Sequence, residues 1–286
     1  MGGGNWSKVT FDAAVRTMGF ANKTVMASSS VNQVYKMYAM ARELDPKGVI
    51  RECRDTKEHP NTIPVILALD VTGSMGNAAK MCAAKLDDIM DELYKSVTDI
   101  EFLMMGIGDL SYDSAPIQAS QFESDIRILD QTTKIYFEAG GGGNKFESYT
   151  AAWYFGLNNT DLDCWKRGKK GIIITLGDEP LNPYLPGKAL SEALGINTQD
   201  VDTNELYNEV IKKFDVYHIA ISDHSSYVRY VEEIKETWGK LLGQHFFVSE
   251  SEKLPEVIAN IVNDSIGSGY TVNEPHAAMT EDGISW

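Results

Sequence analysis

Four predominantly apolar runs, at residues 65–69, 100–107, 172–176 and 216–221, recur along the chain with helix-patterned segments between them. Runs without polar alternation signal strands buried on both faces, as in a parallel sheet covered by helices. Between the first two runs, Cys82, Leu86, Ile89, Leu93 and Val97 form one stripe, which predicts an amphipathic helix over 76–97. Tyr149, Ala152, Trp153 and Gly156 give a second helical face, and Leu206, Val210 and Phe214 a third. Val228, Val231, Ile234, Trp238 and Leu241 stripe a fourth helix, residues 245–248 read as a short fifth strand, and Leu254, Ile258 and Ile261 close with a helix. Such alternation implies an α/β fold, a doubly wound and mostly parallel sheet with helices on both faces. In sheets of this kind ligands bind beyond the C-terminal strand ends, where the strand order reverses.

The alternation fills residues 61–266, which read as the main domain. Residues 1–60 read as an extension: a loose glycine-rich start, one helix with Val31, Val34, Tyr38, Ala41 and Leu44 on a face, and a charged connector from 47. Residues 181–203, with Pro183 and Pro186, read as a polar surface loop, and 267–286 as a polar tail.

The first apolar run ends in Asp70-Val71-Thr72-Gly73-Ser74. Residues 70, 72 and 74 alternate, so a tight extended turn aims a carboxylate and two hydroxyls at one point. That donor set suits a hard cation such as Mg²⁺. Asp, Thr and Ser after a strand are also ordinary turn and N-cap residues. Two further loops follow or lie near strand ends: Gly140-Gly141-Gly142-Gly143-Asn144, running on to Ser148, and Gly177-Asp178-Glu179-Pro180. The three are placed to converge.

These residues resemble the von Willebrand factor type A domain, which carries a metal-ion-dependent adhesion site as D-x-S/T-x-S, matched here by Asp70, Thr72 and Ser74. The family's second loop is glycine-rich, contributes a threonine and opens a helix, and is similar to 140–150 here. Its third loop follows an apolar strand and supplies an aspartate, similar to the stretch ending in Asp178. The segment 45–75 further resembles stand-alone bacterial and phage proteins of the family. Two departures stand out: Gly177-Asp178 reverses the end of the usual Thr-Asp-Gly, and Ser148 takes the place of the second-loop threonine, with Asn144 and Glu147 as rivals. The resemblance implies a Mg²⁺ site, open also to Mn²⁺ or Ca²⁺, formed by Asp70, Thr72, Ser74, Ser148 and Asp178. A protein partner's Asp or Glu would complete it, and the activity would be adhesion rather than bond chemistry. Ring ATPases and self-assembly are the partners the family suggests.

Two other classes compete. In a bacterial or phage assembly protein the cation would only brace loops. A haloacid-dehalogenase-like phosphohydrolase also places an aspartate after its first strand and uses a later Gly-Asp, but its general acid lies two residues on, where this chain has Thr72. Gly140 to Ser148 lacks the Gly-Lys-Ser/Thr ending of a phosphate-binding loop. Asp109 reads as a loop turn rather than a second cation site, and His218, inside an apolar strand, as a core histidine. A formal net charge of −15 spread along the chain argues against nucleic acid or anionic membrane as partner. Three scattered cysteines, Cys53, Cys82 and Cys164, are a poor disulfide framework and point to a reduced, cytoplasmic setting.

Overall fold

Hydrophobic residues that admit no polar alternation end up at the middle of the sheet. The computed structural model describes residues 4–138 and 143–267, and in it residues 64–70 are buried without a break. In chain order the strands are β1 (Arg51–Cys53), β2 (Ile63–Asp70), β3 (Ile100–Ile107), β4 (Ile117–Ala119), β5 (Thr160–Leu162), β6 (Gly171–Gly177), β7 (Tyr184–Leu185), β8 (Val201–Asp202), β9 (Phe214–Ile221) and β10 (Phe246–Ser249). The α-helices are α1 (Lys8–Thr17), α2 (Lys23–Ser28), α3 (Val31–Val34), α4 (Gly76–Ala84), α5 (Leu86–Leu93), α6 (Arg127–Thr133), α7 (Ala151–Asn158), α8 (Gly187–Leu194), α9 (Thr203–Val210), α10 (Ser225–Leu242) and α11 (Leu254–Ile266). Six strands form the main sheet in the order β10-β9-β6-β2-β3-β4, all parallel except the edge strand β4. The chain leaves β2 toward β3 on one side and later returns to β6 on the other. The reversal therefore lies at the C-terminal end of β2, at Asp70.

Because side chains alternate across a strand, β2 feeds two cores. Val65, Leu67 and Leu69 pack with Met104, Ile174, Ile219 and residues of α4, α5 and α11. Ile66 and Ala68 pack with Trp153, Leu190, Val210 and Trp238 on the opposite face. Helices cover both faces, as the alternation implies.

Several local expectations are corrected. The helix expected over 31–44 stops at Val34, and Tyr38 is 96% exposed. Tyr35 leaves the helix because its hydroxyl donates to the Ala79 carbonyl of α4 at 2.7 Å and its ring lies beside Phe137. That tertiary bond outweighs the helical periodicity. The single helix expected over 76–97 is two, broken at Lys85, whose backbone departs from helix at φ −106° and ψ 14°. The stretch 181–203 is structured rather than looped. It holds β7, α8 and β8, with Leu185, Leu190 and Leu194 fully buried and Asp200 accepting from the Gly187 N–H at 2.8 Å.

Residues 6–28 pack against the main domain. Buried Asp87 accepts from Trp6 Nε1 at 3.2 Å and from Lys8 Nζ at 2.7 Å, which docks α1 on α5. Trp6, Phe11, Val15 and Met26 join the first core. In the expected connector, β1 pairs in parallel with β5. Gly140, Gly141 and Gly142 of the glycine run, and the tail from 268, lie outside the described residues.

Candidate metal centre

Asp70 is the last residue of β2, and Gly177 the last of the adjacent β6, so parallel pairing carries Asp70 and Asp178 to the same sheet edge. Both are fully buried. Asp70 Oδ1 accepts from the Thr72 N–H at 2.8 Å and from the Thr72 hydroxyl at 2.6 Å, which closes a turn over residues 70–72. Ser74 Oγ donates to Asp178 Oδ1 at 3.1 Å, which links the first loop to the third. Asp178 Oδ2 has no hydrogen-bond partner and faces His224 Nδ1 at 3.6 Å.

The second loop arrives from the β3 side. Ser148 is buried; its N–H donates to the Gly108 carbonyl at 3.2 Å, and its Oγ accepts from the Leu110 N–H at 3.0 Å. Tyr149, the next residue, donates its hydroxyl to Asp70 Oδ2 at 2.7 Å. Thus Thr72 bonds Asp70 and Ser74 bonds Asp178, and Ser148 is tied to Asp70 through its neighbour Tyr149. Asn144 instead donates to Asp109 Oδ2 at 2.7 Å, while Asp109 Oδ1 accepts from the Ser111 N–H at 2.7 Å, which agrees with the loop-turn reading of Asp109.

Two carboxylates beyond those five belong to the same region. Glu147 is 3% exposed, and its Oε2 has no partner; Glu179 Oε2 is likewise buried and unpartnered. Burial, then the charges of Asp70 and Glu179, push the Glu147 carboxyl far above its usual range. Burial, then Asp70 and Asp178, raise Glu179 to about 8. Asp70 itself is raised by burial and next by Asp178. Glu147 was a named rival in the sequence, whereas Glu179 and Tyr149 carry no motif signal; only the fold brings them in.

The donor set fits a small hard cation. Buried carboxylate oxygens without partners are costly and call for a compensating charge. Among the described residues no group of three or more His, Cys, Asp or Glu side chains is arranged to hold a metal ion by itself, so a cation here needs the hydroxyls as well. Carboxylate, hydroxyl and water are the ligands Mg²⁺ prefers. The half-buried Ser74 and exposed Gly73 mark the open side.

The crowding of acids has a pH consequence. A carboxyl raised by folding holds a proton that the unfolded chain releases above about pH 4. The stability that these raised carboxyls contribute to the cation-free protein is therefore full below that value and is lost as pH rises toward the raised value of Glu179, about 8. Urea unfolding in EDTA is expected to give a lower midpoint at pH 8 than at pH 5.5, and saturating Mg²⁺ to shrink the difference. An equal or higher midpoint at pH 8 would contradict this.

His218 is the core histidine expected. It stacks on Trp238 with ring centroids 3.7 Å apart, and its Nδ1 lies 2.8 Å from the Thr175 hydroxyl. Cys53, Cys82 and Cys164 are free and buried. Among the described residues no helix is long and apolar enough to cross a membrane.

No protein-family model matches the chain, and no curated protein matches it. Among solved structures, the pilus adhesin SpaC from Lactobacillus rhamnosus GG in its open conformation is 12% identical with a TM-score of 0.48, over 77% of this chain and 31% of that one. The chain thus spans about a third of that adhesin's length. The protein BatB from Bacteroides thetaiotaomicron is 12% identical, TM-score 0.43, over 71% of this chain and 98% of that one. The vWF domain of the type V pili tip protein Mfa5 from Porphyromonas gingivalis is 13% identical, TM-score 0.42, over 73% and 96%. Overlaps this low leave the sheet order and the residues at its edge as the grounds for a functional reading.

Proposed function

We propose that this chain is a divalent-cation-dependent protein-binding module. In this reading Asp70, Ser74 and Ser148 hold Mg²⁺, with Thr72 and Asp178 contacting it directly or through water, and Mn²⁺ or Ca²⁺ as substitutes. The bound ion supplies positive charge at an otherwise acidic edge and a coordination position for a partner's Asp or Glu. Hydroxyl ligands leave more of the ion's charge uncancelled than carboxylates do, which favours an acidic group from outside. The chain's own residues bind and orient; they break no bond.

The observation that carries the reading is the fully buried pair Asp70 and Asp178, hydrogen-bonded to hydroxyls of the same loop, with Asp178 Oδ2 left unpartnered. A second reading, a cation that braces loops of an assembly protein, is favoured by the burial of Asp70, Thr72, Ser148 and Asp178, beside which Gly73 is exposed and Ser74 half-buried. Capture of partners from the source cell on immobilised protein, with Mg²⁺ and then with EDTA, separates the two. Proteins retained in Mg²⁺ and released by EDTA support the module; identical retention in both buffers contradicts it.

A further inference from the structure

One side chain outside the five ties the three loops together. Tyr149 is 1% exposed. It follows Ser148 in the second loop, and its hydroxyl bonds Asp70 Oδ2 at the end of β2. Its ring lies over Gly177, the residue before Asp178: a Cβ added there would stand 2.3 Å from both the ring and the hydroxyl oxygen. On its other side the ring meets His218 and Trp238, with centroids 5.3 and 5.8 Å away. The glycine at 177 is thus what admits the phenol to the site.

The consequence falls on Asp70. Its Oδ1 is held by Thr72, from its own turn, and its Oδ2 by Tyr149, from 79 residues away. A carboxylate has about four lone-pair directions; Thr72 occupies both on Oδ1 and Tyr149 one on Oδ2, so a direction on Oδ2 stays free for a cation. With both oxygens bonded, the carboxylate plane is fixed before a ligand arrives. Losing a group that orients a metal ligand in this way typically costs about 10–100-fold in metal affinity.

We infer that Tyr149 is a positioning residue for the bound cation, fixing the Asp70 carboxylate in register with the second and third loops, and that Gly177 is present to make room for it. The inference rests on the cation reading above. It assigns a role to two residues outside the five proposed to contact the cation. A tyrosine that served only as packing would be replaceable by phenylalanine without any effect at the ion.

The test uses the full chain and Mn²⁺ alone as probe, followed by electron paramagnetic resonance. Free Mn²⁺ gives the affinity, and the spectrum of the bound ion reports its ligand field. Tyr149→Phe keeps the ring and removes one hydroxyl. It is expected to weaken Mn²⁺ binding by about tenfold or more and to change the bound spectrum. Gly177→Ala, which displaces the phenol, is expected to weaken binding in the same direction, while urea unfolding of both variants reports any loss of fold. Wild-type affinity and an unchanged spectrum in Tyr149→Phe, with binding lost in Asp70→Ala, would overturn the inference and leave the cation reading standing. No Mn²⁺ binding by the wild-type chain would overturn both.

Discussion

An Asp70→Ala chain is expected to fold and to lose its response to divalent cations. The carboxylate accepts from its own loop through Thr72 and from the second through Tyr149, and it lies at the strand end where the sheet order reverses. Losing a group that merely orients a ligand costs roughly 10–100-fold in metal affinity, and losing the ligand itself should exceed that. Stability without cation should move little, because two effects oppose each other. The Tyr149 hydroxyl is left buried without an acceptor, a penalty of about 1–3 kcal/mol. Against it, Asp178 and Glu147 lose a like charge that crowds them. Titration calorimetry with Mg²⁺ and urea unfolding in EDTA check the two halves. Mg²⁺ binding at wild-type strength would remove Asp70 from the site.

Trp238→Ala should be the most destabilising single change in the second core. Trp238 is fully buried on α10, stacks on His218, and meets Trp153 and Tyr149 with centroids 6.1 and 5.8 Å away. Its Nε1 also donates to the Glu179 carbonyl at 3.1 Å, which anchors the third loop. Truncating a buried tryptophan typically costs about 3–5 kcal/mol, from lost burial and from the cavity left behind. The same change frees the Tyr149 ring and the Glu179 backbone, so Mg²⁺ affinity should fall along with the unfolding midpoint. A variant within about 1 kcal/mol of wild type would mean that the neighbours collapse into the space, contrary to a close-packed cluster.

What was legible in the sequence follows from how local each signal is. Residues 100–107 form β3 over the full run, because eight consecutive apolar or buried residues suit little except a strand covered on both sides. Asp70 and Thr72 are readable as a unit, since their hydrogen bonds close within two residues, whereas Ser74 bonds Asp178 far along the chain. Periodicity misled where tertiary contacts took over. Val31, Val34, Tyr38 and Leu44 share a helical face in the sequence, yet Tyr35 reaches α4 and the helix ends. Leu185, Leu190 and Leu194 were hidden by prolines and polar residues in 181–203, although the last two stand one helical turn apart. Tyr149 and Glu179 owe their place at the site to β2–β6 pairing and to the empty side of Gly177. Nothing in their own neighbourhoods announces that.

The account turns on a divalent ion at the C-terminal edge of β2 and β6. Crystals of the chain grown with Mn²⁺, measured at an energy where manganese scatters anomalously, test it most directly. The expected result is one strong anomalous peak within coordination reach of Asp70, Ser74 and Ser148. No peak there, or a peak only at some other acidic surface, would contradict it.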